Sequence, residues 1–252
     1  MAISNAQLKL LNSLKLKKFR QRYNKYLVEG PKMVQELLVQ APNAVDVVFG
    51  TKEYLEKLPS IPVRVSLVEI SVKDLNKLSS FSTANQAIAI AHIPKIESWS
   101  SVGEEYLSLF TDAIQDPGNL GTIIRIADWF GIRSLICGPG TVDPYSPKVV
   151  QSSMGAIFRV EISFYSLEDI KKTNPEFKTF GAVLDTGLSV YETSPPKGSI
   201  LIIGNESNGI QSSNLKWIDE TVSIPRIHGN GAESLNAAIA CGIICGQWIK
   251  PS

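Results

Sequence analysis

Three short loops carry most of the residues in this chain whose types and spacing suit chemistry. The first runs Gln115-Asp116-Pro117-Gly118-Asn119-Leu120-Gly121 and on to Arg125, between an apolar run and a helical pattern. Pro117 and Gly118 make a turn, and Asn119 lies where a helix start leaves backbone N–H groups facing a ligand. Arg125 follows six residues later, about one and two-thirds turns on, so it must reach in from the next turn. The second loop, Ile203-Gly204-Asn205-Glu206-Ser207-Asn208-Gly209-Ile210, sets a carboxylate between two glycines, which lets a ligand approach the backbone closely. The third, Ile224 to Asn236, joins the last apolar run to the last helix, with Glu233 or Ser234 as the expected cap and Leu235 and Asn236 in the first turn. Each loop, taken alone, is also what an ordinary strand-to-helix turn looks like.

The chain lacks what several familiar chemistries need. With His92 and His228 as its two histidines, His-based triads and His-rich metal sites have little to work with. Cys241 and Cys245, four apart in an apolar helical pattern, read as small buried hydrophobes, and no metal is expected. Gly229-Asn230-Gly231 begins like a dinucleotide fingerprint. Ser234, however, stands where the third glycine or alanine belongs, and the chain ends before a second strand, which counts against an NAD-linked oxidoreductase. Neither a P-loop nor a nucleophile elbow is present. The apolar stretches stop near about ten residues and Met1 to Leu10 lacks the core of a signal peptide, so no membrane association and a cytoplasmic location are expected.

The elements that must position the loops alternate. Helical spacing covers Gln7 to Leu16 and Pro31 to Leu38, and strand-like runs at Ala44 to Phe49, Pro62 to Val65 and Gln86 to Ile93 alternate with helices at Thr51 to Leu58 and Val72 to Leu78. That is a small α/β domain over residues 1–95. Periodicity lapses into Ser and Pro at 96–105, a linker. From 106 to 252, strands are expected at Leu107 to Ile114, Ser134 to Cys137, Val160 to Phe164, Thr179 to Leu184, Ile200 to Ile203 and Thr221 to Ile224, in a mostly parallel sheet covered on both faces. The closing helix, Ser234 to Ile249, is apolar on almost every side, which suits burial against the sheet and a further surface such as a second subunit.

Charge is uneven although the whole chain is +1. Residues 1–40 hold Lys9, Lys15, Lys17, Lys18, Arg20, Arg22, Lys25 and Lys32 against Glu29 and Glu36, a local +6 on a slightly acidic body. A polyanion-binding arm and a merely solvated helix face both fit that pattern.

Taken together and in order, the three loops resemble the three motifs of the SpoU (TrmH) family within the SPOUT class of RNA methyltransferases. The likeness spans roughly Leu107 to Trp248, and the stretch before it, including Leu27-Val28-Glu29-Gly30, resembles the substrate-binding domain often found ahead of that catalytic domain. The resemblance implies an α/β domain with a deep trefoil knot, a homodimer, S-adenosyl-L-methionine as cofactor and a ribose 2′-hydroxyl of RNA as methyl acceptor. The knot comes wholly from the resemblance, since chains in general avoid them. Matched by position, Asn119 and Arg125 belong to the first motif, Gly204 and Glu206 to the second, and Ser234, Leu235 and Asn236 to the third. Leu184, Gly204, Ile224 and Leu235 would surround the cofactor.

The family usually has Ile-Pro-Met where this chain reads Ile224-Pro225-Arg226, and the loop to Ser234 is slightly long, which sets Arg226, His228 and Asn230 apart as residues that tune the RNA site. Arg125 stays protonated and so suits a phosphate clamp and alkoxide partner better than a base, leaving Glu206, Ser234 or Asn236 to position the hydroxyl or take its proton. Lys17, Lys18, Arg20, Arg22 and Lys25 then become phosphate contacts. Ribosomal RNA is the expected substrate because of the N-terminal domain; transfer RNA, or a non-catalytic RNA-binding role, is the alternative, although the latter would be expected to have lost Asn119, Arg125 or Asn236.

Overall fold

The alternation of apolar runs and helical patterns resolves into two sheets in a computed structural model of the chain, which describes residues 3–58, 65–80, 86–95, 106–227 and 233–250. Two units can be separated, residues 1–95 with 143–159 and residues 96–142 with 160–252.

The first unit opens with α1 (Asn5–Leu14), whose start is fixed by a reciprocal pair: the Ser4 hydroxyl accepts from Gln7 N while the Gln7 side chain accepts from Ser4 N. A second helix, α2 (Lys17–Tyr23), follows and stops at Asn24 in the left-handed region, φ +51°. Then come β1 (Lys25–Glu29), α3 (Pro31–Gln40), β2 (Val45–Gly50), α4 (Lys52–Glu56), β3 (Ser66–Glu69), α5 (Val72–Leu78) and β4 (Ala87–His92). The sheet order is β1-β4-β2-β3, with β4 antiparallel to both neighbours and β3 parallel to β2. Leu11, Leu14, Leu27, Phe49, Leu75, Ile88 and Ile90 form its core.

Two features of this unit depart from the sequence expectation. The single helix expected over Gln7 to Leu16 ends at Leu14, and α2 was not anticipated. Tyr26-Leu27-Val28-Glu29 is a strand buried at all four positions, so it lacks the alternation that marks a half-exposed strand. The buried Glu29 carboxylate accepts from Ser79 Oγ at 2.8 Å and Ser80 N at 2.9 Å, which gives this motif a structural task. Of the strand expected at Pro62 to Val65, residues 62–64 lie outside the described residues, as does the 96–105 linker.

In the second unit, β5 (Leu107–Asp112), α6 (Pro117–Trp129), β6 (Ser134–Cys137), β7 (Glu161–Phe164), α8 (Leu167–Thr173), β8 (Lys178–Val183), β9 (Leu188–Ser189), β10 (Ser199–Gly204), α9 (Ser212–Leu215), β11 (Glu220–Ser223) and α10 (Ala237–Trp248) build a sheet of order β7-β6-β5-β10-β8-β11-β9. Every neighbouring pair is parallel. All six residues of β5 and the first five of β10 are buried, as strands covered on both faces must be. The closing helix begins three residues later than expected. It runs alongside α6 in the same direction, with Ile126 and Phe130 over Gly242 and Gly246. A Cβ at either glycine would stand 3.4 Å from those side chains, an ordinary van der Waals contact, so the two helices pack closely at these positions without excluding a methyl group. No helix among the described residues is long and apolar enough to cross a membrane.

Residues 143–159, which leave the second sheet after β6, belong with the first unit and contain α7 (Pro147–Ser152). This amends the expected division into 1–95 and 106–252. Tyr145 packs on Tyr26 with ring centroids 5.0 Å apart, and Arg159 pairs with Glu36. Arg20 is the strongest tie. Its guanidinium, on a residue only 3% exposed, donates from Nε and Nη2 to Asp143 Oδ2 at 2.9 and 2.6 Å, and from Nη1 to the carbonyls of Leu14 and Lys15 at 2.8 and 2.9 Å. Arg20 therefore leaves the set of RNA-binding candidates, because its donors are spent inside the unit. Arg20→Met should lower the free energy of unfolding by roughly 3 kcal/mol, because it removes a buried, fully engaged guanidinium and strands the partly buried Asp143 carboxylate. Adding Asp143→Leu should recover part of the loss, while Lys17→Met should stay within about 0.5 kcal/mol of the parent. Urea denaturation followed by circular dichroism checks all three.

Candidate active site

Because β5, β10, β8 and β11 are parallel neighbours, the loops after all four leave the same edge of the sheet. At β5 the chain order reverses, with β6 on one side and β10 on the other, the kind of crevice where α/β sheets bind ligands. The three chemistry-bearing loops are three of these four.

They are joined by a relay of side chains. Asp116 caps α6, accepting from Asn119 N at 2.8 Å, with Pro117 at the first helical position. Asn119 Nδ2 donates to Glu206 Oε1 at 2.8 Å, and Asn119 Oδ1 accepts from Asn236 Nδ2 at 2.8 Å. An ionised carboxylate only accepts, so Glu206 dictates which way the Asn119 amide turns, and that in turn obliges Asn236 to donate. Asn236 Oδ1 is thereby left to cap α10, accepting from Ala238 N at 3.0 Å and Ile239 N at 3.2 Å. The cap is Asn236, not Glu233 or Ser234: its side chain reaches two helix N–H groups, and the helix starts at Ala237. Glu206 also takes Gln115 N and Asp116 N, each at 3.4 Å, and Asn205 Nδ2 at 3.3 Å, which sets its charge at the positive end of α6.

Beside the relay lies a cavity of about 990 Å³. Leu184, Gly204, Ile224 and Leu235 all line it, together with Glu206 and Ser234. Leu184 and Leu235 are half exposed at its rim. Gly204 does more for its own loop than for a ligand: a Cβ there would fall 2.4 Å from Gly209 C and 2.5 Å from Ile210 N. That close return is locked by paired Asn205–Gly209 backbone bonds of 2.9 Å, with Gly209 at φ +65°. The Ser234 side chain has no hydrogen-bond partner among the described residues. Arg226 bridges the mouth, donating from Nη2 to the Glu233 carbonyl and placing Nε 3.4 Å from Asp185. His228 and Asn230 lie outside the described residues.

Arg125 is exposed on α6 and does not line the cavity. Among the RNA-binding candidates, Lys17, Lys18 and Arg22 are exposed on α2, whereas Lys25 pairs with Asp46 at 2.7 Å. Sequence reasoning missed Asp112 and Gln211. The fully buried Asp112 carboxylate accepts from Gln211 N at 2.8 Å and Gln211 Nε2 at 2.7 Å, and Asn205 Nδ2 holds the Ala113 carbonyl at 2.8 Å. An acid closing an apolar run was the one available signal. Cys241 and Cys245 are buried in α10 with sulfurs 4.0 Å apart, and hydrogen bonding to Cys245 followed by burial pushes the Cys241 thiol well up.

Comparison with known proteins bears on this site. Residues 106–246 match the model of the SpoU rRNA Methylase family, and residues 5–89 that of an MRM3-like substrate binding domain. The chain is 30% identical over 245 residues to the 23S rRNA (guanosine(2553)-2′-O)-methyltransferase RlmP of Bacillus subtilis, covering 95% of this chain and 94% of that one. A solved TrmH-family chain from Porphyromonas gingivalis superposes with a TM-score of 0.85 at 35% identity, covering 98% of each chain. The fold is also that of the SpoU methyltransferase AviRb from Streptomyces viridochromogenes, solved with AdoMet, at a TM-score of 0.81, 24% identity and 97% coverage of each chain.

The relay makes a quantitative demand. Asn119→Ala and Asn236→Ala should each destabilise by about 1 kcal/mol or more, and their double variant should cost less than the sum by about 1 kcal/mol. Strict additivity in a thermal or urea double-mutant cycle would show that the amide–amide bond does not couple the two helix starts.

Proposed function

The chain belongs to the SpoU rRNA methylase family, and from that premise we propose that it transfers a methyl group from S-adenosyl-L-methionine to a ribose 2′-hydroxyl of ribosomal RNA. The observation that carries this reading is the junction of Asn119, Glu206 and Asn236 beside a cavity lined by both the second and third loops. The cavity suits the cofactor. Its volume admits an adenosine joined to an amino acid, Ile203, Ile224, Leu235 and Ile244 offer apolar walls to a base, and Asp185 and Glu206 offer negative charge to a sulfonium and an ammonium.

When bound, the cofactor supplies an electrophilic methyl carbon on a positively charged sulfur. The chain's own residues align the acceptor and manage its proton. Arg125, free on the surface of α6, clamps the phosphate beside the target ribose and stabilises negative charge growing on the attacking oxygen, a task for which a permanently protonated fork is suited. Glu206 is engaged by Asn119, Asn205 and two backbone N–H groups, and Asn236 by Asn119 and the helix start, so both act as positioning residues. Ser234 keeps an uncommitted hydroxyl on the cavity wall and is the group placed to hydrogen-bond the 2′-hydroxyl while the proton passes to solvent.

Residues 1–95 serve as the RNA-binding part in this reading, with Lys17, Lys18 and Arg22 as phosphate contacts, and residues 106–252 as the catalytic part. Insertion of β10 between β5 and β8, with α10 returning along α6, supports a trefoil knot. Trp129 is 84% exposed on α6, and Ile239 and Ile243 on α10 are exposed as well; so apolar a pair of neighbouring helices supports a homodimer closed through them. Light scattering on a sizing column should find a dimer, and Ile243→Asp should shift it towards monomer; a parent that elutes as a monomer would remove the dimer from the reading.

The activity is tested with tritiated cofactor and ribosomal RNA from a deletion strain, mapping the modified ribose by alkaline protection. Label should enter one ribose. Arg125→Lys should reduce kcat/KM by roughly 100-fold and Ser234→Ala by roughly tenfold, both with calorimetric cofactor affinity intact. Near-normal turnover of Arg125→Lys would remove the clamp; label in a base, or none despite cofactor binding, would sink the reading.

A further inference from the structure

We propose that the outward face of α2 is a stacking platform that holds an unpaired base of the RNA, a finer inference that rests on the RNA substrate proposed above. Arg20 supplies the starting constraint. With its guanidinium pinned to Asp143 and to the carbonyls at the end of α1, α2 has one fixed orientation, and the residues around Arg20 are turned away from the core.

What those residues present is neither a plain basic patch nor a plain apolar one. The rings of Phe19 and Tyr23, one helical turn apart, lie within 12° of parallel with centroids 6.2 Å apart. Lys18 Nζ stands 4.9 Å from the Phe19 ring centre and Arg22 Cζ 5.6 Å from that of Tyr23. Tyr23 is 41% exposed, and no acidic residue occurs between Lys15 and Lys25. Aromatic rings left open to solvent with cations beside them combine the two attractions that single-stranded nucleic acid offers: a flat π-face for the ring and a phosphate for each cation.

The same geometry selects against paired RNA. Bases inside an A-form helix keep both faces covered by their neighbours and lie behind a major groove too narrow for side chains, so the rings would gain nothing from a duplex beyond its phosphates. A loop, bulge or strand end exposes the face that Tyr23 can cover. The positive charge complements RNA, and a protein partner would have to be strongly acidic to fit the same surface.

Fluorescence anisotropy on the full chain, with a labelled single-stranded RNA heptamer and a 16-base-pair RNA duplex as probes, tests the idea across a salt series. The parent should prefer the single strand. Tyr23→Ala should weaken the heptamer by roughly tenfold and the duplex by less than twofold, without changing the salt slope. Tyr23→Phe and Tyr23→Trp should bind like the parent, and Arg22→Gln should reduce the heptamer's salt slope by about 0.7. The platform is overturned if Tyr23→Ala changes heptamer binding by less than twofold, or weakens both probes equally. If the parent binds neither RNA while still binding cofactor, the RNA reading fails and the platform with it; loss of Tyr23 sensitivity alone leaves that reading standing.

Discussion

Everything at the candidate site follows from one constraint, the parallel pairing of β10 between β5 and β8. Antiparallel entry would send the Gly204–Gly209 loop to the opposite edge, and Glu206 would never meet Asn119. With the pairing parallel, a carboxylate after one strand reaches the helix start after the next, and two amides carry the connection to the last helix of the chain. Helix dipole, cap and side-chain relay then agree in sign: the acid lies at the positive end of α6, the Asn119 amide donates to it, and the Asn236 amide that donates to Asn119 closes the start of α10. The packing of α10 along α6, with Ile126 over Gly242 and Phe130 over Gly246, completes the arrangement.

Much of this was legible in the sequence. Strands such as β5, β6 and β10 lie within a residue or two of the apolar runs that announced them, because a strand buried on both faces needs an uninterrupted run. Leu184, Gly204, Ile224 and Leu235, which the family resemblance implied, line one cavity. What could not be read was whatever depends on a distant partner. Asn236 as a cap competes with Glu233 and Ser234 on residue type alone, and only the position of Asn119 decides among them. Gly204 looked like room for a ligand, whereas its missing Cβ is taken up by its own loop. Arg20 stood in a run of cations that looks uniform along the chain; burial against Asp143 separates it from Lys17, Lys18 and Arg22. The same run of cations contains Phe19 and Tyr23, whose pairing depends on α2 being a helix of its own, an element that charge alone does not announce.

The first unit has a modest core and closes it with material from elsewhere in the chain. Residues 143–159 bring Asp143 to Arg20, Tyr145 to Tyr26 and Arg159 to Glu36. Two of these three ties are charged, and the Arg20 pair is deeply placed, so the segment contributes specificity of position as well as covered area. A cut after residue 95 would part the first unit from that segment and leave the Arg20 guanidinium without its carboxylate.

That borrowed segment sets a schedule on synthesis. Domains as a rule fold in the order in which they emerge, the N-terminal one first. Here Arg20 and Asp143 are separated by 123 positions, and β5, α6 and β6 are made in between. The N-terminal unit must therefore wait, with Arg20 lacking its carboxylate and Tyr26 its aromatic partner, until residues 143–159 have left the ribosome. The part of the molecule that comes first is finished only after the second unit has begun to be made.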